Sequence, residues 1–103
     1  MTRLDLSEKA FQNQVIDLAK AFGWLTYHTW SSIHSAKGWP DIALCKGGRL
    51  ILAELKSEER ELTPDQQMWL DELSHVQGIE VYLWRPSNLE SISVILQGKE
   101  GRQ

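Results

Sequence analysis

Cysteine occurs once in this chain, at position 45, so no disulfide framework can staple it and a reducing, cytoplasmic setting is expected. Cys45 lies inside an apolar run and reads as a small core residue on a strand rather than a reactive thiol. No apolar run approaches the roughly 18 residues that a membrane span needs, which argues against a membrane partner. The opening "MTRLDLSEKA" lacks a signal-peptide pattern. A basic surplus is also missing: 11 Lys and Arg stand against 14 Asp and Glu, for a net charge of −3. Nucleic-acid binders usually carry positive charge, so the total speaks mildly against such a partner, although a cation site would itself contribute carboxylates. Repeats, low-complexity tracts and linkers are absent as well. The 103 residues amount to one domain with a feasible hydrophobic core.

What is present orders itself readily. Ser7 is a natural helix N-cap, with Leu6 and Phe11 spaced as a hydrophobic staple. Phe11, Val15, Leu18 and Phe22 follow at helical spacing, and Gly23 marks the stop. Glu8 lies one turn before Phe11, in line with that apolar stripe. "WLTYHTW", Trp24 to Trp30, predicts a strand, and a loop then leads to Pro40. Two strands around Gly47-Gly48 predict a hairpin. Thr63, Pro64 and Gln66 carry the signature of a capped second helix with Trp69, Leu73 and Val76 on its apolar face. Ile79 to Arg85 predicts a further strand. Ser87 and Glu90 read as a capping box opening a last helix, and "GKEGRQ" as a polar tail.

The order α-β-β-β-α-β-α predicts one α/β domain with a mixed sheet flanked by helices. The last helix would span about residues 87–97 and the polar tail 98–103.

The hairpin raises the functional question. A two-residue turn at Gly47-Gly48 sets Lys46 opposite Arg49, Cys45 opposite Leu50, Ala43 opposite Leu52 and Asp41 opposite Glu54. With period-two alternation Asp41 and Glu54 share one face, and Lys56 joins them. Opposed like charges destabilise a sheet, and a divalent cation would resolve the conflict. Two carboxylates and a strand carbonyl are hard oxygen donors, suited to magnesium or manganese. An ammonium at Lys56 could then orient a water or neutralise charge on a phosphate. The plainer reading makes Asp41 a turn residue after Pro40, and Glu54 and Lys56 a solvated salt bridge.

Pro40-Asp41 followed by Glu54-Leu55-Lys56 resembles the PD-(D/E)XK nuclease signature. With Glu8 on the first helix, Gly38 before the Pro-Asp and Gln67 on the helix after the Lys strand, the chain is similar to the VRR-NUC (virus-type replication-repair nuclease) family from about Ser7 to Arg85. The resemblance implies a restriction-endonuclease-like fold and Mg²⁺- or Mn²⁺-dependent hydrolysis of DNA. It implies metal ligands at Glu8, Asp41, Glu54 and the Leu55 carbonyl, a catalytic Lys56, and a positioning amide at Gln67. Stand-alone members, mostly from phages and bacteria, resemble Holliday-junction resolvases and act as dimers, so a homodimer on branched DNA is implied here.

His28, His34, Lys37 and Arg85 are the candidate DNA contacts, each of which could equally be a half-buried or solvated surface residue. His75 reads as a helix-end surface residue, and Tyr82 and Trp84 as core or dimer contacts. "KSEERE", Lys56 to Glu61, reads as a solvated turn. No organic cofactor is expected. A structure-selective DNA endonuclease acting by direct water attack is the function anticipated, and the resemblance implies 5′-phosphate and 3′-hydroxyl products. The alternatives are a non-catalytic nucleic-acid-binding module on the same fold and a general α/β interaction protein.

Overall fold

Phe11, Val15 and Ala19 are fully buried along one side of the first helix, and this stripe is what the sheet wraps. The computed structural model describes residues 7–30 and 36–98. Helix α1 (Glu8–Ala21) opens with the Ser7 hydroxyl accepting from the Ala10 N–H, as an N-cap should. Strand β1 (Leu25–His28) is shorter than the aromatic run predicts. Strands β2 (Ile42–Lys46) and β3 (Arg49–Leu55) form the hairpin, and Gly47 and Gly48 both take positive φ, 55° and 84°, in its turn. Helix α2 (Pro64–Leu73) crosses over to strand β4 (Glu80–Trp84). A 3₁₀ turn at Pro86–Asn88 leads into helix α3 (Leu89–Leu96).

The sheet order is β1-β2-β3-β4, antiparallel except for the parallel β3–β4 pair. This is the predicted element order and the predicted mixed sheet. The hairpin register is also the predicted one, with Lys46 opposite Arg49, Cys45 opposite Leu50 and Ala43 opposite Leu52.

The main core lies on one face. Ile42, Leu44, Ile51, Ala53, Leu55 and Trp84 meet α1 and α3 there, together with Ile92 and Leu96. By alternation, Leu52, Glu54 and Lys56 turn to the opposite face, where α2 packs on β4 and buries Leu70. At the turn end Arg49 grips Glu80 through two 2.7 Å hydrogen bonds, reaches the Ile95 carbonyl, and lies over the Trp24 ring. That arrangement fastens α3 to the sheet. No described helix is long and apolar enough to cross a membrane.

Four local expectations are corrected. Cys45 is exposed, because it faces Leu25 and Leu50 on a part of the sheet that no helix covers. Val76 is exposed because α2 ends at Leu73 and Val76 belongs to the following turn. The last helix has no Ser87–Glu90 capping box; Asn88 accepts from the Arg85 N–H instead, and the Ser87 N–H goes to Glu58. The turn after Lys56 is also less free than a solvated run, being tied to Arg85 as described below. Leu6 of the predicted staple lies outside the described residues.

Candidate active site

Asp41 and Glu54 meet at the open end of the hairpin. Asp41 sits just ahead of β2, where continuing the register sets it opposite Glu54, and its Oδ2 accepts the Leu55 N–H at 2.8 Å. Thr29 holds the approach in place: its N–H reaches the Asp41 carbonyl and its hydroxyl the Pro40 carbonyl. Glu54 is only 2% exposed and Lys56 3%, which is costly burial for ionisable side chains on a sheet. Among the described residues, Glu54 Oε1 is the buried side-chain oxygen left without a hydrogen-bond partner.

The electrostatics follow from that placement. Loss of water, then the Asp41 charge and a hydrogen bond to Asp41, push the Glu54 carboxyl up to about 8. Burial also raises Asp41, against the opposing pull of its hydrogen bonds to Leu55 and Glu54. Lys56 favours the ionised form of both acids, and Glu8 disfavours it. Without a counter-cation these effects favour a proton held by the pair near neutral pH.

Glu8 stands at one remove. Its Oε2 accepts from the Ser57 N–H at 3.4 Å and faces Arg60 at 3.7 Å, so the start of α1 overlies the end of β3. Among the described residues no set of three or more His, Cys, Asp or Glu is gathered tightly enough to hold a metal ion. The pair itself fits a hard cation: two carboxylates converge and one buried oxygen lacks a partner. Glu8 is near enough to act on both through its charge, yet its own oxygen is shared with Ser57 and Arg60.

The remaining candidates separate. Leu55 donates its N–H to Asp41, next to the predicted carbonyl ligand. Gln67 is exposed rather than inward, its amide donating to Asp71 one turn on, because the helix rotates Gln66 toward the site in its place. Arg85 is occupied: its Nη1 donates to the Ser57, Glu58 and Arg60 carbonyls, bracing the loop after Lys56 instead of reaching outward. His28, half-buried at the end of β1, packs its ring 4.3 Å from Trp30. Lys37 is exposed, and its carbonyl accepts the Trp69 indole N–H. His34 lies outside the described residues. His75 is exposed at the end of α2, and Tyr82 and Trp84 stack at 5.1 Å with Trp84 in the core.

One feature went unread in the sequence. A cavity of about 300 Å³ opens beside Asp41, lined by Thr29, Trp30, Gly38, Trp39 and Gln66 among others. The signal was available in the two tryptophans that flank the loop before Pro40.

Comparison with known structures places the fold. The chain is similar to a solved "VRR_NUC domain protein", with a TM-score of 0.67, 16% identity, and coverage of 90% of this chain and 92% of that one. No protein-family model matches the chain, and no curated protein does.

Proposed function

We propose that this chain, which shares the nuclease-type fold of a VRR_NUC domain protein, is a Mg²⁺- or Mn²⁺-dependent DNA endonuclease. The observation that carries the reading is half-buried Asp41 set against buried Glu54, with an oxygen left unpartnered and Lys56 buried on the same face. Two acids confined together and raised by desolvation are the mark of a functional site more often than of a structural one.

Asp41 and Glu54 would hold the cation, with the Leu55 carbonyl and Glu8 completing its oxygen shell. The ion supplies Lewis-acid polarisation of a phosphoryl oxygen and activation of the attacking water. Glu54 must surrender its proton for this, so cation binding and proton release are linked. Lys56, held rigidly by burial, places its ammonium where charge grows on the phosphate. Arg85 fixes the loop 57–60 and with it the position of Glu8. Hydrolysis is direct, leaving 5′-phosphate and 3′-hydroxyl ends.

For the substrate we infer branched DNA, such as a four-way junction, cut symmetrically by a homodimer. The resemblance to stand-alone VRR-NUC proteins supports this part. A non-catalytic nucleic-acid-binding module is the second reading, favoured by the net charge of −3.

The test is incubation with labelled four-way junction, flap and linear duplex in EDTA, Mg²⁺ or Mn²⁺, beside Lys56→Ala. Metal-dependent incision lost in the variant is expected. DNA binding without incision under any condition would leave the second reading.

A further inference from the structure

The cavity beside Asp41 has a construction that phosphodiester hydrolysis alone does not require. Trp30 is 71% exposed and Trp39 38%, an unusual commitment of large rings to water beside a charged site. Neither ring is loose. Trp30 packs on His28 at 4.3 Å, and Trp39 stands edge-to-face on Trp69 at 5.0 Å. Trp69 is itself anchored through its indole N–H to the Lys37 carbonyl at 3.0 Å.

Gly38 makes this docking possible. It takes φ +95°, and a Cβ there would stand 2.5 Å from the Asp65 carbonyl oxygen at the start of α2. The segment carrying Trp39 therefore lies directly on α2, and only glycine permits that approach. Thr29, Asp41 and Gln66 also line the cavity, so polar residues stand beside the two indoles. Aromatic rings beside polar groups suit a flat, heteroatom-edged ligand. The cavity of about 300 Å³ is at the small end of ligand pockets, which admits one such group.

We propose that Trp30 and Trp39 form a stacking pocket that takes one unpaired nucleobase of the DNA strand whose phosphate lies at Asp41. The inference rests on the nuclease reading and deepens it. Stacking tolerates every base because each has a π-face, so the pocket selects unpaired structure rather than sequence. A base inside a duplex must first leave its stack, at a cost that junctions, flaps and single strands have already met. Structure preference would then begin within one chain, before any partner copy contributes.

The test uses the full chain with a short labelled DNA single strand and the matching blunt duplex in EDTA, read by fluorescence anisotropy. The single strand should bind more tightly than the duplex. Trp30→Ala should weaken single-strand binding about tenfold, and Trp30→Phe should restore most of it. Trp30 is too exposed for its loss to unfold the core, and an unchanged melting temperature checks this. Trp39→Ala should act alike, with the same check on the loop.

Replacing single nucleotides by abasic residues should reproduce the loss at one position in the wild type and add nothing in Trp30→Ala. Equal binding by all variants, indifference to every abasic position, or preference for the duplex would each overturn the pocket. Cleavage with Mg²⁺ or Mn²⁺ separates the two ideas. Incision that ignores both tryptophans removes the pocket and keeps the nuclease; tryptophan-dependent binding without incision keeps the pocket and removes the nuclease.

Discussion

At the turn end of the β2–β3 hairpin, Arg49 meets Glu80 with opposite charge, two short hydrogen bonds, a carbonyl and an aromatic face. At its open end Asp41 meets Glu54 with like charge, one oxygen without a partner, and a proton held against its ordinary tendency. Both clusters are largely withdrawn from water, on the same ribbon. The first is closed in the sense that each charge has an answer within the protein. The second is answered only in part, by Lys56, and one oxygen of Glu54 stays without a partner within the protein. Burial of charge thus means opposite things at the two ends, and partner accounting tells them apart.

The largest expected effect breaks the open end. Lys56→Met should lower the cleavage rate about 10²–10³-fold, the usual range for one electrostatic group acting in a transition state. Its apolar volume keeps the fold. Single-turnover assays with matched circular dichroism decide, and a near-normal rate would remove Lys56 from the chemistry.

Next comes pH. In the metal-free protein, below the ordinary glutamate value both folded and unfolded chains carry the Glu54 proton. Between that value and about 8 only the folded chain keeps it, so folding stability falls as pH rises through this window and levels off above it. Thermal melts from pH 5 to 8 should fall by an amount on the order of a few kcal/mol, and Glu54→Gln should flatten the profile. Added Mg²⁺ should raise the midpoint more at pH 8 than at pH 6. A flat wild-type profile would contradict the burial of this acid.

The closed end should respond in stability alone. Glu80→Ala removes the partner of Arg49 and should cost about 2 kcal/mol, with activity retained below the lowered melting point. Equal losses of activity and stability would show that the two ends are coupled. The smallest effect is at Cys45. Cys45→Ser should shift stability by no more than about 0.5 kcal/mol, because that side chain is exposed. The native wild type should react readily with a thiol reagent.

The hairpin was legible because its information is local: a Gly-Gly turn fixes register, and register carries Asp41 opposite Glu54. The caps at Ser7 and Thr63 were legible for the same reason. Gln67 was misplaced because neighbouring helix positions differ by a rotation that only the tertiary docking of α2 sets. Cys45 was misread because an apolar strand does not reveal whether a helix covers its second face. Arg85 looked like a phosphate contact in sequence, and only folding shows the three carbonyls that occupy it. The Trp30–Trp39 cavity belongs to a loop docked through Gly38, a contact distant from either ring in pattern terms.

The parallel pairing of β3 with β4 has a further consequence. Ile51 meets Glu80 only after the intervening chain has threaded through α2, whereas the β2–β3 hairpin closes on its own. We therefore expect Asp41 and Glu54 to come together early as ordinary wet acids. They would be dehydrated only when the C-terminal strand docks and the Lys56 N–H takes the Trp84 carbonyl. The raised affinity of Glu54 for its proton would then be acquired only in the last act of folding. Titrating Glu54 by NMR in a fragment ending at Leu73 would decide: an ordinary carboxylate value is expected, and a raised one would show that the hairpin poises the pair unaided.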